Sequence, residues 1–181
     1  SGTLNQNTGG TFTLGGELEN SGSTFNVNGG TLNFGATALV DNGNFNYLGG
    51  NIAGDVKLRN TVFTIGVGTA AEVFQLNYNN TLASGVGAGH TVNIESDAST
   101  VQLTSNASFA NAGTINLTAT DVQTTVLSLP TVGDDTLTNT GTLNFQVGAG
   151  TGSRVMSSNL VNNGTVNVDY DATFNKGSGS Y

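Results

Sequence analysis

The chain has no cysteine, no tryptophan, one proline and one histidine, and only four basic residues among 181. Each shortage removes a class of function. Without cysteine there is no disulfide scaffold, no thiolate zinc site and no cysteine nucleophile. Lys57, Arg59, Arg154 and Lys176 are the whole basic complement. Neutralising phosphates takes clustered Lys and Arg, so nucleic acid is not an expected partner. The net charge of −8 is repelled by an anionic membrane surface as well. No apolar run reaches membrane-spanning length and no signal-peptide pattern is present, so membrane insertion of these residues is not expected.

Charge of either sign is scarce: Asp, Glu, Lys and Arg make up 9%, against roughly 25% in an average globular protein. Disordered chains are poor in apolar residues and rich in charge and proline. Here hydrophobic residues reach 36% and are spread evenly, which suits many short strands.

What is present is a repeat. Gly-Gly pairs stand at 9–10, 29–30 and 49–50, a period of twenty residues. Aligned on them, Thr11, Thr31 and Asn51 share a column, as do Phe12, Leu32 and Ile52. Leu14 aligns with Phe34, where Gly54 breaks the column. Phe25 aligns with Phe45, Asn26 with Asn46, Val27 with Tyr47, and Leu18 with Ala38 and Leu58. Within a period, segments 24–27, 31–34 and 37–40 read as three short strands, the first two alternating apolar and polar residues. No window has helical spacing. Such strands bury themselves only by stacking on copies about 4.8 Å away, with the Gly pairs at corners that need positive φ. The sequence predicts an all-β fold, a single-stranded parallel β-helix or β-solenoid, of about 20-residue coils with three short strands each. Eight or nine rungs would make a stack on the order of 40 Å.

After about residue 60 the strict period fades, but Gly-Thr-apolar-Asn-apolar returns at 113–117, 141–145 and 164–168, as at 30–34; residues 90–94 carry His in place of Gly. The three later copies follow Asn-x, at Asn111, Asn139 and Asn162. One domain over 1–181 is expected, regular over 1–60 and with longer loops over 61–181. The first residue is Ser, which suggests a piece of a longer repetitive protein. Segments 86–88, 118–135 and 148–153 are the candidate excursions, where binding residues often sit; for 118–135 the sequence leaves a loop, an extra strand and a docking arm all open.

The motif Asn-x-Gly-Thr-apolar-Asn-apolar, repeated at twenty to thirty residues over most of the chain, resembles the passenger repeats of autotransporter and filamentous-haemagglutinin-like bacterial surface adhesins. That resemblance implies a right-handed coil, a secreted or cell-surface location, and attachment to a glycan or to a host or matrix surface protein. It transfers no binding residue. Open solenoid ends also imply end-to-end self-association.

Chemistry is sparse. His90 opens the strand at 91–94, and no Gly-x-Ser-x-Gly elbow supports a triad; Gly22-Ser23 and Gly177-Ser178 lack that context. His90 is expected to be a turn residue. Glu17/Glu19, Glu95/Asp97 and Asp169/Asp171 have i, i+2 spacing, which projects both carboxylates from one face of a strand and is the pairing a glycosidase would need. Asp134-Asp135 and Asp169/Asp171 are possible calcium turns, with a solvated acidic turn the plainer reading. Asp55, Lys57 and Arg59 read as an outward salt-bridged face. Thr11 and Thr13 suit an ice-binding face, but Thr31/Asn33 and Asn51/Ala53 interrupt the ladder. The expectation is a structural and adhesive module with no catalytic residue, cofactor or metal; a carbohydrate-binding or carbohydrate-active β-helix and an ice-binding solenoid are the alternatives.

Overall fold

The computed structural model describes residues 1–129 and 135–175. They form 21 β-strands and no helix. All strand pairings are parallel. The chain winds as a β-solenoid of about eight turns, about 22 residues each. One sheet has ten strands and runs from Thr3–Gln6 to Ala172–Asn175. A second has eight, from Glu17–Glu19 to Thr165–Val168. A third has three: Phe109–Asn111, Thr136–Asn139 and Asn159–Asn162.

Alternation builds the core. In Thr91–Ser96 every second residue is buried. Stacked rungs turn these positions into continuous columns. Leu58, Leu76, Ile94, Leu117 and Phe145 form one; Phe74, Val92, Ile115 and Leu143 form another. Phe25 and Phe45 stack edge-to-face at 5.5 Å, and Phe12 meets Phe25 at 5.7 Å. Burying each such ring contributes roughly 1.5–3 kcal/mol before the entropy of ordering it.

The twenty-residue register holds in the first sheet: Thr11, Thr31 and Asn51 pair in sequence, and Phe25 pairs with Phe45. Two expectations change and one open alternative is decided. Segments 24–27 and 31–34 are one strand, Thr24–Phe34, because the Gly pair lies in a bulge that shifts register between Val27 and Thr31. The second-sheet partner of Leu18 and Leu58 is Val40, not Ala38, since the Gly35–Ala38 turn places the strand at Leu39–Asp41. And 118–135 is no simple loop: Thr125–Ser128 is a strand of the first sheet, between Val101–Ser105 and Arg154–Ser157. Pro130 and Asp134 lie outside the described residues.

The other two excursions are stacked as well. Val86 is buried and bridges Asn111. Gly150 and Gly152 donate backbone hydrogen bonds to the Ala119 and Asp121 carbonyls of the preceding coil. Both segments thus belong to the wall of the rod.

Candidate functional site

His90 closes a turn, its backbone N–H donating to the Gly87 carbonyl at 3.2 Å, and it is only 2% exposed. It sits directly after the 88–89 turn. Its Nδ1 accepts the Glu72 backbone N–H at 3.2 Å, which leaves the proton on Nε2. Nε2–H donates to Thr69 Oγ1 at 2.9 Å, and that hydroxyl donates to the Gly66 carbonyl. Every polar atom of the ring is used, and burial holds its pKa below the ordinary histidine range. Protonating Nδ1 would cost the Glu72 bond. His90 therefore lacks the free nitrogen that a general base needs. Tyr47 and Phe74 pack on its ring, and burial raises the pKa of Glu72, whose Oε1 accepts the Ile52 N–H.

The carboxylate pairs have different fates. Glu17 and Glu19 project from one strand face, as the spacing predicts, and Asp41 from the next coil joins them within 4.8 Å. Arg59, one coil further, reaches back to both: Nη2 lies 2.7 Å from Glu17 and 2.5 Å from Asp41. The hydrogen bond to Asp41 leads the causes that raise the Arg59 pKa. Asn42 donates to Glu19. Of the three carboxylates that could face a cation, two already pair with a guanidinium and the third accepts from Asn42. The ion pairs run across coils rather than along the strand to Asp55, and Lys57 donates to the Ala36 carbonyl. Glu95 and Asp97 border a 260 Å³ hollow with Lys57 and Gln75. Asp169 and Asp171 lie beyond the end of Thr165–Val168, so strand geometry does not aim them together. Asp135 accepts hydrogen bonds from Ser108.

Arg154, unlike the half-buried Arg59, is fully buried. It points into the core, donates to the Gln146 and Gly152 carbonyls, and lies 4.2 Å below the Tyr170 ring. Its Nη2 has no partner, and burial lowers its pKa. A hollow of about 400 Å³ opens beside His90, lined by Ile65, Val67, Thr69, Ser84 and Val86 among others. No carboxylate lines it.

The most regular chemistry lies on the outer surface of the second sheet. Thr91, Thr114, Thr142 and Thr165 form one column in exact register, and Asn93, Asn116, Asn144 and Asn167 form the next. From Asn116 onward each Asn Nδ2 donates to the Asn Oδ1 of the rung before it, at 2.7, 2.7 and 2.8 Å. The four Thr hydroxyls have no protein partner among the described residues. In the other half of the same sheet the outer positions carry Glu17, Glu19, Asp41, Lys57 and Arg59. A Thr ladder sought at Thr11 and Thr13 thus exists elsewhere, built by the Gly-Thr-apolar-Asn-apolar motif. The signal was its second residue, read down the copies at 90–94, 113–117, 141–145 and 164–168 instead of along the Gly-Gly period.

The first Asn of the motif has a separate task. Asn111 and Asn139 are fully buried at the corner before the strand. Asn111 donates to Asn139 Oδ1 at 2.7 Å, and Asn139 to Asn162 Oδ1 at 2.7 Å. Among the described residues no helix is long and apolar enough to cross a membrane. Compared with known proteins, the chain matches no family model, no curated protein and no solved structure.

Proposed function

We propose that this solenoid is a structural and adhesive element: a stiff rod that presents flat contact surfaces to a glycan, to a surface protein or to another copy of itself. The observation that carries this reading is the pair of uncharged, in-register outer columns on the second sheet. They cover four consecutive rungs over a continuous core. Repetition at fixed spacing favours binding that sums many weak contacts, whereas a soluble small ligand needs a concave pocket with a few convergent polar groups. The one buried histidine has its ring nitrogens committed, and two of the clustered carboxylates pair with Arg59, which supports a non-enzymatic role. The amide ladders support a scaffold too, because stacked Asn side chains hydrogen-bond along the rod axis. The bacterial surface location and the kinship to autotransporter or filamentous-haemagglutinin-like repeats belong to this proposal.

Beads coated with the chain, challenged with a glycan array and with immobilised matrix proteins, test it. Retention on one class of surface, above that of beads coated with an unrelated acidic protein, is the expected result. Retention on none, with no self-association by sedimentation, would overturn the adhesive part.

A further inference from the structure

From the second-sheet face we infer a partner class: the Thr and Asn columns bind the ordered surface of an uncharged polysaccharide, whose chains lie side by side. The inference rests on the adhesive reading above.

Four features of the face select this partner. Its Thr and Asn columns are uncharged over the rungs from Thr91–Ser96 to Thr165–Val168, with Glu95 on the same face beside Asn93 and with Lys57 and Glu17 where the columns continue. A chain of net charge −8 disfavours acidic polymers everywhere else, and this face offers a basic group to none. It is periodic, with rungs about 4.8 Å apart and the two columns roughly 6.6 Å apart along each strand.

The face is also preorganised. Each Asn amide is held by its neighbours in the ladder, and threonine is stiff at χ1, so binding orders little that is not already ordered. After the ladder is made, each Asn between rungs keeps one N–H and one acceptor lone pair, and each Thr keeps a hydroxyl. That donor and acceptor mixture matches sugar hydroxyls, which both donate and accept.

Finally, the face is a strand surface with no aromatic side chain in either column, and the hollow bordered by Glu95 and Gln75 lies at its edge. A flexible single oligosaccharide would bear its own ordering cost against such a surface without burial to offset it. A solid array of chains has no such cost and meets several rungs at once.

The test is depletion of the chain from solution by microcrystalline cellulose and by crystalline chitin. The variant is Thr114→Val with Thr142→Val, which keeps β-branching and removes two central hydroxyls. Thr13→Val, on an exposed position of the first sheet, is the control, and circular dichroism melting shows that each variant folds. The expected result is depletion by at least one polymer, weakened roughly tenfold in the double variant and unchanged in the control. No depletion by either polymer overturns the inference, as does equal loss in variant and control. Slowed ice recrystallisation without polysaccharide binding overturns it in favour of an ice lattice. Bead retention that survives the double substitution leaves the adhesive reading standing and removes this face from it.

Discussion

At the scale of single residues, the informative groups are the few buried polar ones. Glu72 and His90 are linked through the Glu72 N–H, yet their titrations act on stability in opposite directions. Burial raises the Glu72 pKa in the fold. Its contribution is therefore complete below the ordinary carboxylate range and is lost as pH rises through the folded value. Burial lowers the His90 pKa, so its contribution is complete above about 6.5 and is lost as pH falls through the folded value. Glu72→Gln keeps an acceptor for the Ile52 N–H and removes the charge. Urea unfolding should find this variant more stable than the parent near pH 8, with the gap closing towards about pH 4. A gap independent of pH would show that Glu72 is not the source. The burial of His90 was hidden from the sequence, because a histidine replacing the motif glycine reads as a corner residue. Only the stacking of 66–72 against it reveals the two partners.

At the scale of the element, the motif explains itself residue by residue. In Asn-x-Gly-Thr-apolar-Asn-apolar the first Asn turns inward and satisfies the corner: Asn139 donates to Asn162 Oδ1 and also to the Thr165 carbonyl at 3.0 Å. The apolar residues face the core and the second Asn ladders outside. The glycine is there because coils approach closely. A Cβ on Gly141 would collide with the Gly113 carbonyl oxygen and with Ala112, all backbone. Gly15, by contrast, has nothing within 4 Å of such an atom. Gly141→Ala should therefore destabilise by several kcal/mol, as overpacked or strained sites do, while Gly15→Ala should be neutral or stabilising by up to about 1 kcal/mol. Denaturant midpoints of the two variants check this, and equal effects would refute it. Alternation and the Gly-Gly period made the coil legible in sequence, down to Phe25 on Phe45. The offset of Val40 against Ala38 was not, since a turn of changed length shifts a strand without altering its pattern. Nor was the fact that one motif serves two sheets: residues 30–34 lie in the first and 113–117 in the second.

At the scale of the whole molecule, each coil's strands pair only with those of the coils on either side, so stability is to first order a sum of coil and interface contributions. Removing a core ring from one coil should be felt locally. Phe45→Ala should cost about 3–5 kcal/mol. Amide exchange should accelerate in the strands Thr24–Phe34, Asn44–Ala53 and Val62–Ile65 that stack on it, and far less in Thr142–Phe145. Uniform acceleration along the chain would indicate a single cooperative unit instead. The acidic cluster belongs to this scale too, because Glu17, Asp41 and Arg59 come from three coils and are brought together by the same winding that aligns Leu18 with Leu58.

Both ion pairs among the described residues converge on that one guanidinium, Arg59. Apart from single hydrogen bonds to groups such as Lys57, Glu72 and Asp121, what else joins coil to coil is peptide, amide, hydroxyl or hydrocarbon. Mobile counterions screen charges and leave such neutral contacts largely untouched. A rod held this way keeps its cohesion from dilute fresh water to brine, and an attachment surface made of the same neutral groups would keep its grip across the same range.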